Sequence, residues 1–263
     1  MAVILPFLMF KNIFCFLFVI TLFFSCSEFE RKTEKELTQE KFGDIPLVEY
    51  KPSPNPDKNA YFGDLHVHTE NSFDAYTFGT TSSPADAYEF AKGKAINHPT
   101  GYAIQLSRPL DFYAVTDHGV FMGIVKEAAD TSSEISKYEV AEPFHNLNEN
   151  VSGSILSILR RANSFRPFAQ ALASGIEDGT IDINLLQEVS NGVWQRTIEA
   201  ADQAYVPGEF TTFAAYEYTS SVELYDNYLH RNVIFRDTKN LPKRLFTRGD
   251  SLNPEDLWDW MDG

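Results

Sequence analysis

The run Tyr61-Phe62-Gly63-Asp64-Leu65-His66-Val67-His68-Thr69-Glu70-Asn71-Ser72-Phe73-Asp74 carries two histidines one residue apart at the end of a short apolar alternation. It then breaks into a polar loop closed by a carboxylate. In a β-strand, residues i and i+2 project from the same face. His66 and His68 are therefore expected to point together, with Asp64 one step earlier on the same side and Asp74 just beyond. Two imidazoles at a strand end beside a carboxylate are a good start on a metal site. A second run, Ala114-Val115-Thr116-Asp117-His118-Gly119, again puts Asp and His at the end of an apolar stretch.

Working outward, residues 60–67 read as a first strand. Ser83 as N-cap and Pro84 in the first turn predict a helix over 84–92. Residues 101–108 read as a connector, 111–116 as a second strand, 121–129 as a short helix and 131–150 as irregular. Apolar residues recur at helical spacing over 155–173 and 183–204. Residues 210–218 read as a third strand, 229–235 as a fourth, and a helix opens near Asn253-Pro254. Strand, helix and strand in alternation point to parallel α/β units. The expected fold is an α/β, incomplete, distorted β/α (TIM-like) barrel, N-terminal part only. Parallel α/β folds place functional residues at the carboxyl ends of strands. His66, His68, His118 and Glu217 all fall at such positions, while His230 opens its strand instead. Glu217 lies between Tyr216 and Tyr218 in an apolar strand, where an unpaired carboxylate is costly. His98 and His145 read as loop residues, and Tyr76, Phe78, Tyr88 and Tyr113 as packing.

The first 25 residues differ in kind. Lys11, an apolar stretch to Phe24 and Ser25-Cys26-Ser27 have the layout of an export signal. Residues 1–25 resemble a bacterial lipoprotein signal, with Cys26 as the lipidated residue. The alternative is an uncleaved membrane anchor. Either reading exports the protein and tethers it to a membrane, in the periplasm or at the cell surface. Residues 26–59 read as a charged, Pro-containing tether. The two cysteines, Cys15 and Cys26, both lie in or at the edge of the signal. No thiolate nucleophile or zinc-thiolate site is then available to the body, and any metal must be held by His and carboxylate. A formal net charge of −15 argues against nucleic acid as a partner.

Asp64-Leu65-His66-Val67-His68-Thr69, with Ser72 and Asp74, resembles the first motif of the polymerase-and-histidinol-phosphatase (PHP) superfamily, and Val115-Thr116-Asp117-His118-Gly119 its second. More narrowly, Tyr61 through Thr69, Asp86-Ala87-Tyr88-Glu89-Phe90-Ala91-Lys92-Gly93, Arg108-Pro109-Leu110-Asp111-Phe112 and His230-Arg231-Asn232-Val233-Ile234-Phe235 resemble the family known as domain of unknown function 3604. The resemblance implies a PHP-type barrel over 60–263, with a helical insertion at about 131–205. It also implies two or three divalent metal ions (Mn, Zn or Fe) and a metal-activated water that cleaves a small-molecule phosphoester. By motif, His66, His68 and Glu217 would hold one metal, Glu217 and His230 a second, and Asp74 and His118 a third. Asp117 would serve the catalytic centre by orienting an imidazole, and Arg231 or Arg108 would bind a phosphate or form a salt bridge. The superfamily completes its site with a further histidine and a later Asp-x-His pair, neither found between His230 and Gly263. An N-terminal portion of a longer protein, inactive alone, is the expectation. The alternatives are a metallohydrolase for sulfate-ester or amide bonds, and a non-catalytic ligand-binding lipoprotein.

Overall fold

Three parallel strands hold the two histidine-bearing runs side by side in the computed structural model of the chain. The structure describes residue 56 and residues 58–263, apart from 150, 152, 153 and 223–226. The signal over 1–25, the lipidation candidate Cys26 and nearly all of the 26–59 tether lie outside the described residues. The described residues belong to one unit, Asp44–Gly263. In chain order its elements are β1 (Gly63–Val67), α1 (Phe73–Phe78), α2 (Pro84–Ala91), β2 (Ile96–His98), β3 (Tyr102–Ile104), β4 (Phe112–Val115) and α3 (Ile124–Ala129). Two 3-10 turns (Ile135–Lys137 and Glu139–Phe144) follow, then α4 (Ile155–Glu177), α5 (Ile183–Ala204), β5 (Thr211–Phe213), β6 (Ala215–Val222), β7 (Asn227–Ile234) and α6 (Pro254–Asp262). No described helix is long and apolar enough to cross a membrane.

The fold is mixed α/β, built from small sheets without a closed barrel among the described residues. The parallel sheet has the order β1-β4-β5. β2 pairs with β3 and β6 with β7, both antiparallel, and Glu217 of β6 makes one further parallel bridge to His118. Here the expected run of four parallel-type strands needs correction. The third strand is two elements: β5 continues the parallel sheet, and β6 keeps a single parallel bridge to it at His118 while forming an eight-pair antiparallel ribbon with β7. The alternation of residues 215–219 accounts for this. Tyr216 and Tyr218 are buried on one face with Val233, while Glu217 and Thr219 share the other with His230 and Asn232. A two-faced alternation suits an antiparallel pair, whereas buried parallel strands run continuously apolar. β3 lies inside the 101–108 stretch expected as a connector, and its partner β2 places His98, expected in a loop, in a strand. Its ring stacks on Tyr102, and Gly101 takes the left-handed conformation at the turn (φ 92°).

Local chemistry fixes the helices. Ser83 and Asp86 form a reciprocal capping box at the start of α2. Along α5, Leu186, Val193, Trp194, Thr197, Ile198, Ala201 and Ala204 form the buried stripe. Beyond Leu186, that stripe reaches two apolar cores, one with Met122, Tyr216, Tyr218, Val233 and Leu257, the other with Tyr88, Tyr113 and Phe210. α4 joins a third core with Ile124, Ile135, Phe144 and Ile181. These helices are therefore scaffold. Arg161 of α4 is buried, with no carboxylate partner among the described residues. Its guanidinium donates to the Thr77 carbonyl (3.2 Å), Asn148 Oδ1 (2.6 Å) and the Leu147 carbonyl (2.7 Å), tying α4 to the end of α1. Tyr88 and Tyr113 pack as expected. Phe78, expected to pack, stands exposed at the end of α1.

Candidate metal centre

The site is assembled at the carboxyl end of the parallel sheet. Thr116 clamps the end of β1, accepting from Val67 N through Oγ1 (2.8 Å) and donating its own N–H to the Val67 carbonyl (2.7 Å). One residue on, Asp117 accepts from Thr69 N (2.5 Å) and from Thr69 Oγ1 (2.6 Å). The start of β6 slots beside this turn. Glu217 N donates to the Asp117 carbonyl (3.0 Å), and Gly119 N donates to the Glu217 carbonyl (2.9 Å). Gly119 is needed for that approach, because a Cβ there would lie 2.8 Å from the Tyr216 ring. The β1 register shifts between Asp64 and Val67. Such irregularities re-aim side chains next to functional sites. Asp64 accordingly turns back to accept from His66 N (2.9 Å) and stays outside the cluster that its strand position suggested.

Six side chains converge: His66, His68, Asp74, His118, Glu217 and His230. Their donor atoms form three overlapping groups, each within 4.8 Å: His66–His68–Glu217, His68–Asp74–His118 and His118–Glu217–His230. Glu217 is the hub. Its Oε2 meets His66 Nε2 at 2.9 Å and His68 Nε2 at 2.7 Å, and its Oε1 contacts His230 Nδ1, with His118 Nδ1 at 3.8 Å. Asp74 lies 3.1 Å from His68 Nδ1 and 3.5 Å from His118 Nε2. The cluster has a closed and an open side. The side chains of Glu217 and His118 are 1% and 3% exposed, against 60% for His66 and 39% for His230.

Electrostatics follow from this crowding. Burial alone would lower His68, but the bonds and charges of Asp74 and Glu217 outweigh it and raise the imidazole to about 10. Burial would raise Glu217, yet the bond from His68, the charges of His118 and His68 and the bond from His66 draw it down to about 2. Burial opposes the shift at Asp74 too, and hydrogen bonds from His118, His68 and Ser72 hold it well below the usual carboxylate range. Asp117 goes the other way: burial pushes it up to about 6 against the bonds from Thr69.

The His68 shift has a definite sign. A group raised in the fold contributes stability that is complete below its ordinary 6.5 and disappears as pH rises through 10. In metal-free protein, the stability gap between wild type and His68→Gln is therefore expected to be full at pH 6 and to shrink by pH 10. Denaturant melts across that range measure it, and a gap that does not change with pH would contradict the assignment.

Several expected roles need adjustment. Asp117 does not face an imidazole; both its oxygens are engaged by Thr69, so it secures the loop that begins beside His68. Arg108 precedes β4, at the opposite end of the sheet from the cluster, and its guanidinium lies 5.3 Å from the centre of the Phe62 ring. Arg231 pairs in register with Tyr218, on the ribbon face turned away from Glu217. Neither arginine is placed to bind a phosphate at the cluster. Sequence reading missed Thr219, whose Oγ1 lies 2.9 Å from His118 Nδ1, and Phe73, whose ring stacks on His118 at 4.5 Å. Thr219 stands two residues after Glu217, and that same-face spacing was the available signal. Ser72 is fully buried and donates to Asp74 Oδ1 (2.6 Å), beside His68 Nδ1 (3.0 Å), while accepting from His118 N (3.2 Å).

Residues 55–263 match the family model described as "Protein of unknown function (DUF3604)". The chain belongs to this family. No curated protein and no solved structure matches it. All six clustered side chains of this DUF3604 chain fall inside the matched span.

The donor set fits divalent metal. Four imidazole rings stand in sequence with centroids 5.2, 4.8 and 5.0 Å apart. Protonating all four would crowd four cations against two carboxylates. Neutral imidazoles and carboxylates, with no thiolate, are instead ligands that zinc, manganese and iron accept.

Proposed function

We propose that this DUF3604 protein is a metal-dependent hydrolase of the PHP type that cleaves phosphoester bonds in a small-molecule substrate. The observation that carries the reading is Glu217, a buried carboxylate shared by histidines from β1, the loop after it and β7, with His118 of the turn after β4 3.8 Å away. An isolated carboxylate in that position would cost several kcal/mol. Two or three divalent ions would be held by His66, His68 and Glu217, by Glu217 and His230, and by Asp74 and His118. Such ions, when bound, bring the pKa of a coordinated water toward neutrality and stabilise an oxyanion. In this reading the parallel sheet β1-β4-β5 is part of a distorted β/α barrel.

The chain's own residues divide the work. Glu217 and His118 form the floor, and His66 and His230 border the open side from which a substrate would approach. The Ser72 hydroxyl contacts His68, whose other nitrogen meets Glu217, an arrangement that resembles that of a serine nucleophile. Its burial and its bond to Asp74 keep it from attacking a substrate. The nucleophile is then water rather than a side chain. The protein is proposed to act outside the cytoplasm, anchored by lipid at Cys26, and its net charge of −15 disfavours nucleic acid as substrate.

A panel of aryl phosphate, phosphonate, sulfate and anilide substrates, tested with the natural full-length protein and added manganese, zinc or iron, examines this reading. Phosphate ester hydrolysis that disappears on chelation and in His66→Ala is expected. Cleavage of the sulfate or anilide alone would replace the phosphoester assignment, and no turnover by metal-loaded protein would favour a binding role.

A further inference from the structure

We infer that Thr219 is a positioning residue that commits His118 to the Asp74 side of the cluster. The inference rests on the metal-centre reading above. His118 stands between two donor groups and can serve either one. Its Nε2 is 3.5 Å from Asp74 Oδ2, and its Nδ1 is 3.8 Å from Glu217 Oε1 on the His230 side. An imidazole that ligates a metal through one nitrogen donates the N–H of the other to a nearby acceptor, and that acceptor selects the ligating atom.

At His118 the contact to Nδ1 is short and buried. Thr219 Oγ1 lies 2.9 Å away, nearer than Glu217, and Thr219 is itself only 5% exposed. With Nδ1–H donated to that hydroxyl, the Nε2 lone pair faces Asp74. The ring plane is also fixed. Phe73 stacks on His118 at 4.5 Å and 18°, and Phe165 of α4 stacks on Phe73 at 4.3 Å and 10°. Ring position is thus set by the aromatic pair, and the choice of nitrogen by Thr219. β6 thereby supplies the cluster twice from one face, with Glu217 as shared ligand and Thr219 as the group that keeps His118 off Glu217.

The test compares wild type, Thr219→Val and Thr219→Ser in the natural full-length protein. Zinc binding is followed by equilibrium dialysis with elemental analysis, and the His118 ring by 15N spectra. Wild type and Thr219→Ser are expected to bind the same number of zinc ions, with His118 as one tautomer protonated at Nδ1. In Thr219→Val, which keeps the volume and removes the hydroxyl, one zinc position should weaken at least about tenfold while the others hold. The His118 ring should then show mixed tautomers. Unchanged zinc binding and an unchanged ring in Thr219→Val would overturn the inference, as would loss of every zinc ion at once. If wild type binds neither zinc nor manganese nor iron, the metal reading itself fails. The ring spectra then decide Thr219 alone: a tautomer that depends on its hydroxyl supports the contact, and one that does not overturns it.

Discussion

Replacing Glu217 with glutamine is expected to empty two of the three donor groups at once and leave only His68–Asp74–His118 intact, because Glu217 belongs to both of the others. The amide keeps the volume but loses the charge, and its NH2 end must face an imidazole where a carboxylate oxygen stood. The histidines on Oε2 and the one on Oε1 then lack a common acceptor. Metal affinity at the emptied positions should fall by more than about 100-fold, beyond the range usual for an outer partner of a metal ligand. The metal-free fold should suffer as well. Removing one partner from a buried ionic cluster costs about 3–5 kcal/mol. Equilibrium dialysis and urea melts on the same variant separate the two effects, and a variant with wild-type metal content would refute the role of Glu217 as hub.

The second large effect lies behind the site. Trp194 of α5 is fully buried, donates Nε1–H to the Pro242 carbonyl (2.9 Å), and packs with ring centroids 6.1 Å from Tyr216 and 5.9 Å from Phe235. Tyr216 immediately precedes Glu217, so this ring supports the strand that presents the hub carboxylate. Trp194→Ala is expected to cost about 3–5 kcal/mol in urea unfolding. Trp194→Phe keeps most of the packing, leaves the Pro242 carbonyl without its donor, and should cost about 1–3 kcal/mol. A loss below 1 kcal/mol for the alanine variant would mean that the core collapses around the gap and that β6 is held by other contacts.

Part of the candidate cluster was legible in the sequence, where strand periodicity suggests a direction. His66 and His68 share a strand-end face, and Glu217 stands out as a charge in an apolar alternation. α2 was legible from its capping box, and α4 and α5 from their apolar spacing. Pairing partners were not legible. β6 reads as an extension of β5 until its two-faced alternation is given weight, and the three-residue strands β2 and β3 are too short to show a period. Asp117 illustrates a different gap. A carboxylate beside a ligating histidine suggests an orienting partner, yet its position in the turn delivers it to the backbone of Thr69. Arg161 and Phe165 could not be read as site supports, because α4 meets α1 only through tertiary packing.

These six side chains are proposed to hold metal. The direct measurement is the metal content, by elemental analysis, of the natural full-length protein purified without chelator, beside Glu217→Gln and His66→Ala. Two or three equivalents of manganese, zinc or iron in wild type are predicted, with at most one left in Glu217→Gln and a reduced content in His66→Ala. A well-folded wild type that carries no metal and takes up none on dialysis would show that the six side chains do not form a metal centre.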